Sequence, residues 1–564
     1  MEYIIFIVFA VGIVFLIFLK GYLDYRKEEK KFIQRLYSDY GKTVEKEYKP
    51  ERYGNIRQYY EKHKKGFSID DITWNDLNMD EVFKKANYTF SAAGEEYLYH
   101  MLRTPSFSQE ELNRREELID YFFNHEDERV RCQFLFHKLG NTGKYSLYDY
   151  LDYLDVLGKR SNVRHYLALL LIIVGIIVMF IDIPVGLVVL VGVFVANILS
   201  YFKVKSEIDP YITSFSYIFR LIDMIEKIRK IKIPVLTNEW QELKEASMGL
   251  ARFKRGAFLL MSPGRLSATG NPLEIILDYL RMALHLDLIQ FNKMLFEVRK
   301  HISDIDRMVT IAGEIDSVIA IGAFRKNVGN YCVPVFESGE GIKAENLYHP
   351  LLFNPVKNDM NTVQSVLITG SNASGKSTFL KTVALNAIFA QTMHTVLADS
   401  YKSSFYRVCS SMTLRDDIEG GDSYYMVEIK ALKRILDEVK KEGAKVLCFV
   451  DEVLRGTNTV ERIAASTQIL KSLCMENCLC FAATHDIELT YLLENDYINY
   501  HFKEEIEDDD IYFSYKIIDG RAQTRNAIKL LGIMGYEPEI VQKAEKLAAD
   551  YLKQGNWSLV CLDE

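Results

Sequence analysis

The chain has no surplus of basic residues and no internal repeat or low-complexity tract. Its 69 Lys and Arg are outnumbered by 77 Asp and Glu, which gives a net charge of -8. A domain-wide basic surface that would recruit nucleic acid by bulk electrostatics is therefore excluded, and any contact with DNA must be local. A composition of 49% hydrophobic and 26% charged residues predicts a folded chain with about three or four structural units.

Cysteine is also scarce. Eight cysteines in 564 residues do not predict a disulfide framework. The closest group is Cys474, Cys478 and Cys480, and no second cluster or nearby pair of histidines completes a set of metal ligands. We interpret these cysteines as reduced core thiols.

Two long apolar runs are present. The first, residues 4–19, carries no charge and is followed by basic residues from Lys20 to Arg35. A cleaved signal peptide has its positive charges before the apolar run, so we interpret residues 1–20 as an uncleaved transmembrane anchor. The second run, residues 166–202, is interrupted only by Asp182 and is too long for one span of about 20 residues. It predicts a transmembrane hairpin.

Basic residues flank these runs on one side of the predicted membrane. The positive-inside rule then places residues 21–165 and 203–564 in the cytoplasm, and Asp182 and Met1 on the far side. The prediction is a multi-pass protein of the cell membrane with three transmembrane helices. A buried pair of core helices is the alternative for residues 166–202, because each half is slightly short for a bilayer.

The predicted cytoplasmic segments have helical patterns in the part of the chain before Val335. Residues 21–165 and 207–324 carry apolar residues at helical spacing, with a long stretch, 273–320, interrupted mainly by Gly313. The best local basic patch lies here, and we interpret it as a solvated helix face, with DNA contact as the alternative. It consists of Arg252, Lys254, Arg255 and Arg265.

After Val335 the pattern changes to short apolar runs that alternate with helices. Residues 366–369, 446–450 and 479–482 are predicted buried strands, which indicates an α/β sheet. The acidic residues 504–510 are predicted to form a hairpin tip between two strands. The predicted fold is an α-helical core plus an α/β nucleotide-binding domain.

The segment from Gly370 to Ser377 fits the P-loop pattern G-x-x-x-x-G-K-[ST] between a predicted strand and a predicted helix that begins near Thr378. Glycines let backbone N–H groups curl around phosphate oxygens, and the helix N-terminus favours the anion. Lys376 would reach the outer phosphates of ATP, and Ser377 would bind Mg²⁺. The predicted ATP-binding residues are Gly370, Ser371, Asn372, Ala373, Ser374, Gly375, Lys376, Ser377 and Thr378.

Two further predicted strands place candidate metal-binding and catalytic residues at the same edge of the sheet. The strand 446–450 is followed by Asp451, which would hold Mg²⁺ through its water shell, and Glu452, which would orient or deprotonate the attacking water. The third strand leads into His485, which would sense the γ-phosphate. Glu452, His485 and Lys376 are therefore the predicted catalytic residues, and Ser377 and Asp451 the predicted metal ligands.

These motifs resemble those of the MutS mismatch-repair ATPases, which belong to the ABC ATPase group. The family's segments T-G-P-N-M-G-G-K-S-T, S-T-F-M-V-E, D-E-x-x-R-G-T and A-T-H-x-x-E-L are similar to residues 369–378, 423–428, 451–457 and 483–489. The resemblance implies that Ser423 reaches the γ-phosphate of a neighbouring subunit, so that the working unit is a homodimer. It also implies a DNA partner and a role in repair or recombination.

The chain departs from the family in several places. We expect that no mismatch-reading domain precedes the core and that the clamp segment is shortened, and the predicted hairpin interrupts the helical region. The family's S-Y-G segment is replaced by Arg525, Asn526 and Ala527. An ABC transporter fits poorly, because L-S-G-G-Q is absent. The hypothesis is a membrane-anchored MutS-like ATPase that binds DNA, and the alternative is a membrane-tethered mechanical or scaffolding ATPase that acts on a protein partner.

The resemblance and the apolar runs together predict five segments. The first three are an anchor, a cytoplasmic helical region with a MutS-core-like start and a transmembrane hairpin, and the last two are a helical core or lever and an ABC-type P-loop ATPase domain with a C-terminal helical dimerisation segment. The segments are residues 1–20, 21–165, 166–202, 203–340 and 341–564.

Overall fold

The structure, a computed structural model, divides the chain into two compact units that interleave along the sequence. The helical unit comprises Met1–Lys64, Lys85–Met101 and Asn113–Asn327, and the sheet unit comprises Lys65–Lys84, Leu102–Leu112 and Val328–Glu564. The five-segment division predicted from the sequence stays a prediction. The structure describes residues 2–43, 46, 48, 50–143, 145–254, 282–337, 339, 341–371, 374–412, 424–474, 477–507, 510–522, 527–555 and 557.

Helices make up most of the first 330 residues. In chain order, the α-helices of the described residues are α1 Glu2–Ser38, α2 Pro50–His63, α3 Asp71–Asp76, α4 Met79–Ala86, α5 Ala92–Arg103, α6 Gln109–Asn124, α7 Glu126–Leu139, α8 Leu147–Tyr153, α9 Val163–Ile181, α10 Ile183–Ile228, α11 Thr237–Gly249, α12 Leu286–Lys300, α13 Ile302–Val328, α14 Lys376–Thr392, α15 Tyr424–Val439, α16 Thr459–Ser472, α17 Ile487–Leu492, α18 Ala527–Ile533 and α19 Pro538–Gln554.

The strands follow Val335. They are β1 Val335–Phe336, β2 Ile342–Leu347, β3 Asn358–Thr362, β4 Ser365–Thr369, β5 Ser400–Ser403, β6 Tyr406–Ser411, β7 Lys445–Asp451, β8 Cys478–Ala483, β9 Tyr497–Glu507 and β10 Asp510–Asp519.

The predicted hairpin is the helix pair α9–α10, which breaks at Asp182 as expected. Asp182 caps α10 by accepting a hydrogen bond from the backbone N–H of Val185. The helices pack closely at this end, because a Cβ at Gly186 would lie 2.1 Å from the Cα of Met179. Among the described residues, Val163–Ile181 and Ile183–Asp209 are long and apolar enough to cross a membrane.

The apolar side chains of this pair face outwards. In the most apolar part of each helix only 17% and 11% of the residues are buried, and Phe180 is 83% exposed. This exposure does not fit a buried pair of core helices, which was the alternative from the sequence. The predicted anchor forms the first half of α1, which continues without a break to Ser38.

The core of the helical unit is organised around α13. Its Gly313 faces α5, where a Cβ would lie 2.6 Å from the carbonyl oxygen of Ala93. The predicted interruption at Gly313 is wrong, because α13 runs through it and the break between α12 and α13 is at His301. Because glycine has no Cβ, Gly313 allows α13 and α5 to pack closely at this point. Residues 273–281 of the predicted stretch lie outside the described residues.

The sheet unit contains a six-stranded sheet in the order β10-β9-β4-β8-β7-β6, parallel except for the antiparallel pair β9–β10. A smaller sheet has the order β1-β5-β2-β3. The three predicted strands are confirmed as β4, β7 and β8, which are buried throughout apart from the first residue of β7. Buried parallel strands read as continuous apolar runs, which is why the sequence predicts them well.

Two details complete the sheet unit. The predicted acidic hairpin is confirmed, since Glu507 pairs with Asp510 at the tip of β9–β10. The segment Lys65–Lys84 contributes helix α3, whose Asp76 accepts hydrogen bonds from the Ser410 hydroxyl at 2.7 Å and the Met412 backbone N–H at 2.9 Å. The sheet unit is therefore assembled from distant parts of the sequence.

Candidate functional site

The carboxyl ends of β4, β8 and β7 meet at one edge of the large sheet. Asp451, the last residue of β7, pairs in register with Ala483 of β8. The backbone N–H of Thr484 donates to the Ile368 carbonyl of β4 at 3.0 Å, and that of Glu452 donates to the Ala483 carbonyl at 2.8 Å. The structure therefore brings the three predicted motifs together, at the edge where open α/β sheets bind ligands.

The loop after β4 folds back on itself. Gly370 and Gly375 have φ of 145° and 102°, a region that favours glycine. The Ser374 hydroxyl donates to the Ser371 carbonyl at 2.7 Å, and Lys376 Nζ donates to the carbonyls of Gly370 and Ser371 at 2.7 and 2.6 Å. Helix α14 begins at Lys376, so its N-terminus borders the loop. Asn372 and Ala373 lie outside the described residues.

Ser377 and Asp451 are in direct contact. The Ser377 hydroxyl donates to Asp451 Oδ2, while the buried Asp451 Oδ1 has no partner among the described residues. Burial raises the pKa of the Asp451 carboxyl. An unpaired carboxylate oxygen beside a hydroxyl is the oxygen donor set that Mg²⁺ prefers, so these residues fit a magnesium ion.

Glu452 lies beside a guanidinium group and an imidazole ring. Its Oε2 is 2.7 Å from Arg455 Nε and 3.5 Å from His485 Nδ1. The hydrogen bond with His485 lowers the pKa of the Glu452 carboxyl and raises the pKa of the His485 imidazole. Glu452 is thus ionised and able to accept a proton from water or a hydrogen bond.

The backbone around Glu452 is strained. Glu452 and Leu454 have φ of 56° and 58°, values that are uncommon for side chains other than glycine. His485 is followed by Asp486, which forms a bidentate ion pair with Arg462 at 2.8 and 3.0 Å. Glu452 therefore lies on the strained segment after β7, and the ion pair fixes the residue next to His485 on the segment after β8.

Glu428 contacts the segment that carries Glu452, and the sequence did not predict a role for it. It lies on α15, is only 3% exposed, and accepts a hydrogen bond from the Leu454 backbone N–H. Burial raises the pKa of its carboxyl. The S-T-F-M-V-E resemblance contained the signal, because Glu428 ends that segment. Ser423, which begins it, lies outside the described residues.

A cavity of about 360 Å³ opens beside the loop. Its walls include Gly375, Thr378 and Phe379 of the loop and α14, together with Tyr515 of β10 and residues 352–356. The Asn358 side chain fixes this wall, since its Nδ2 donates to the Tyr515 carbonyl at 3.0 Å and its Oδ1 accepts from the Ile517 N–H at 3.0 Å. The cavity was not predicted from the sequence.

Comparison with known proteins identifies the sheet unit further. A protein-family model described as MutS domain V matches residues 366–552. The chain is similar to proteins described as DNA mismatch repair protein MutS: 32% identical over 228 residues in Pseudothermotoga lettingae, 30% over 273 in Thermotoga petrophila and 29% over 254 in Thermus thermophilus.

These matches cover 38%, 46% and 44% of this chain. They span only 28%, 33% and 31% of the relatives' own length, so the likeness concerns the domain that holds the sheet edge. Within that domain, the loop after β4 and the acidic end of β7 fall inside the matched range. Over this domain the chain is therefore similar to the MutS family.

Proposed function

We propose that the sheet unit is a P-loop ATPase of the ABC type that binds and hydrolyses Mg-ATP. The contact between Ser377 and Asp451, with Asp451 Oδ1 buried and unpaired, carries this proposal. Two oxygen donors from different motifs meet beside a glycine-bent loop at a helix N-terminus, and a magnesium phosphate fits that combination of charges.

Each residue of the sheet edge then has a role. Backbone N–H groups of residues 370–375 bind the phosphates, and Lys376 releases its loop carbonyls to reach the outer phosphates. Ser377 and Asp451 hold Mg²⁺, which neutralises phosphate charge when bound. Glu452 orients or deprotonates the attacking water, and His485 contacts the γ-phosphate while its hydrogen bond lowers the pKa of the Glu452 carboxyl.

The cavity beside the loop provides the place for the adenosine part of ATP. Its volume of about 360 Å³ lies within the range of small-molecule pockets. The aromatic side chains of Phe379 and Tyr515 supply flat apolar surface for a base, and Gly375 and Thr378 connect the cavity to the phosphate loop.

The unit is proposed to work as a homodimer. In this arrangement Ser423 of one subunit completes the ATP site of the other, and ATP binding closes the dimer. The helical unit then moves on DNA that is mismatched, damaged or branched, in a repair or recombination role. The similarity to proteins described as DNA mismatch repair protein MutS supports the DNA partner, and the local basic residues are a further indication from the sequence.

One observation favours the alternative, a mechanical ATPase that acts on a protein partner. Lys254, a member of the predicted basic patch, forms an ion pair with Glu226 of α10. This pairing removes one of the charges available for DNA phosphates. Arg255 and Arg265 lie outside the described residues.

The exposed apolar surfaces of α9 and α10 support a membrane location for the chain. We propose that these helices and the first half of α1 cross the cell membrane and that the sheet unit lies in the cytoplasm. The three-span topology remains part of this proposal, because within the part of the chain that the structure describes only the two helices of the pair meet the length and hydropathy required.

The ATPase proposal is tested by Glu452→Gln in the full-length chain. Removing a general base lowers turnover by about 100-fold to 10,000-fold, while ATP binding is kept. The control is Glu442→Gln, an exposed position outside the sheet edge. Turnover within a factor of about two of the parent would refute the role of Glu452.

The DNA partner is tested by a salt series with duplex and branched DNA. Phosphate contacts make the affinity fall steeply as salt rises, by about a thousandfold between 50 and 200 mM for roughly six contacts. Replacing Arg252, Lys254, Arg255 and Arg265 by Ala should reduce that slope. Binding that is absent, or that does not respond to salt, favours the protein-partner alternative.

A further inference from the structure

A polar cavity lies at the foot of the helix pair α9–α10, in the helical unit and apart from the sheet edge. Its volume is about 470 Å³. Arg160 and Asn162 border it from the chain just before α9, Arg252 from the chain after α11, and Lys293 and Phe296 from α12. None of these residues belongs to the proposed ATP site.

Hydrogen bonds fix the position of α12 against the helix pair. At its start, Asp287 accepts from the Tyr201 hydroxyl of α10 at 2.8 Å. One to two turns later, Asn292 Nδ2 donates to Asn162 Oδ1 at 2.8 Å, and near its end Arg299 Nη1 donates to the Gly158 carbonyl at 2.8 Å. Helix α12 therefore descends along the foot of the pair.

The cavity is level with Asn162, the residue directly before the apolar helix Val163–Ile181. If that helix crosses the membrane, the cavity lies where the hydrocarbon ends and the cytoplasmic headgroups begin. Three large exposed aromatic side chains lie at this end of the pair or line the cavity, and one of them is a tyrosine, a residue type that is enriched at membrane interfaces. Tyr166 is 50%, Phe202 54% and Phe296 66% exposed.

The charge of the cavity is positive. Arg252 and Lys293 are exposed, and neither has an ion-pair partner within the part of the chain that the structure describes. Arg160 is held by Glu207 of α10 at 2.7 Å. Glu297 is the acidic member among the described lining residues, and its carboxylate is 3.9 Å from His301 Nε2. Two unpaired cations thus face a cavity with one acid.

We propose that this cavity binds the phosphate headgroup of an anionic phospholipid of the cytoplasmic leaflet. Arg252 and Lys293 pair with the phosphate, and the acyl chains lie along the exposed apolar side chains of α9 and Phe296. Basic pockets beside membrane helices on the cytoplasmic side are suited to such headgroups. The Phe296 ring, on the wall of a basic cavity, fits a lipid better than a water-soluble anion.

The proposal gives Arg252 a different partner from the one suggested by the sequence. It goes beyond the proposed ATPase and rests on one part of the proposed function, the membrane location of α9–α10. Extraction of the chain from membranes by alkaline carbonate would refute both the membrane location of α9–α10 and the lipid site. A chain that resists extraction but shows no lipid preference refutes the lipid site alone.

The test uses the full-length chain in a neutral detergent. Binding of short-chain phosphatidylglycerol, short-chain phosphatidylcholine and inorganic phosphate is measured separately by native mass spectrometry and by the shift in Tm. We expect saturable binding of phosphatidylglycerol and a raised Tm, with no shift from the other two probes at the same concentration.

The variant is Arg252→Gln/Lys293→Gln, and the matched control is Lys244→Gln/Lys300→Gln, two exposed lysines outside the cavity, one of them on α12. Each basic residue beside an anionic lipid contributes about fivefold in affinity, so the variant should weaken phosphatidylglycerol binding about 25-fold. The control should not change it.

Three results would overturn the proposal. These are equal binding of phosphatidylcholine, displacement of the lipid by an equal concentration of inorganic phosphate, and an unchanged affinity in the variant. A variant that keeps its lipid affinity but loses duplex DNA would assign Arg252 and Lys293 to DNA instead.

Discussion

The hydrogen bond between Glu428 and the Leu454 N–H is the contact whose removal tests the proposed site most sharply. Leu454 is 3% exposed and its φ is 58°, so the loop that carries Glu452 is both buried and strained at this point. In Glu428→Ala the N–H loses a charged acceptor, which costs about 1.5–3 kcal/mol locally. The loop then relaxes, and Glu452 moves away from its place at the sheet edge.

The expected result is a separation of turnover from binding. A displacement of about 1 Å of a catalytic group can cost a hundredfold in rate, so kcat should fall by about 10-fold to 100-fold in Glu428→Ala. ATP affinity should stay near that of the parent, because Lys376, Ser377 and the cavity are untouched. Glu428→Gln keeps an oxygen that can accept from Leu454 and should restore most of kcat.

Steady-state ATPase rates, ATP titrations and hydrogen exchange of the Leu454 amide measure the three effects, with Glu442→Ala as the exposed control. Faster exchange at Leu454 should accompany the loss of kcat. An unchanged kcat in Glu428→Ala would refute the positioning role. Equal losses in the Ala and Gln variants, with a lower Tm in both, would assign Glu428 a structural role only.

Three further outcomes follow from the same geometry. Asp451→Asn should weaken ATP binding in the presence of Mg²⁺ by about 10-fold to 100-fold and leave ATP binding in EDTA unchanged. If Mg²⁺ raised the ATP affinity of this variant as much as that of the parent, the role of Asp451 as a metal ligand would be contradicted. The buried Asp316 has a pKa raised to about 6 from its usual 3.8, so the folded state binds its proton more tightly than the unfolded state. Its contribution to stability is present below about pH 4 and is lost as the pH rises to about 6, and Asp316→Asn should flatten this part of a plot of Tm against pH. A cysteine introduced by Asp182→Cys should react with an impermeant maleimide from outside the cell, whereas one introduced by Lys227→Cys should react only after permeabilisation; the reverse pattern would refute the topology.

The sequence predicts the parts of this fold that depend on local pattern. Strands β4, β7 and β8 are buried, and the break at Asp182 separates two long apolar stretches, one in α9 and one in the first part of α10. Gly313 shows the limit of such reasoning. A glycine within a helical pattern can end the helix or allow close packing, and only the Ala93 carbonyl on another helix decides between them.

The features of the site that were not predicted from the sequence all depend on contacts between residues that are distant along the chain. Glu428 and Leu454 are 26 residues apart, so their contact has no local signature. The cavity beside the loop combines residues near 350, 379 and 515. The segment Lys65–Lys84 belongs to the sheet unit although its own pattern is helical, because Asp76 is bonded to Ser410. Sequence spacing predicts which residues bind phosphate, but not which residues support them.

Helix α15 connects a subunit's own catalytic segment to the residue that is proposed to complete the ATP site of the other subunit. Its first residue, Tyr424, directly follows Ser423, which is proposed to reach the ATP of the other subunit. Glu428 lies about one turn further along and holds Leu454, two residues from Glu452. A shift of α15 on closure of the dimer would therefore reach the catalytic carboxylate of the same subunit through a single hydrogen bond. In the proposed dimer, engagement of one ATP would therefore set the water-activating group beside the other ATP, and hydrolysis would depend on dimer closure.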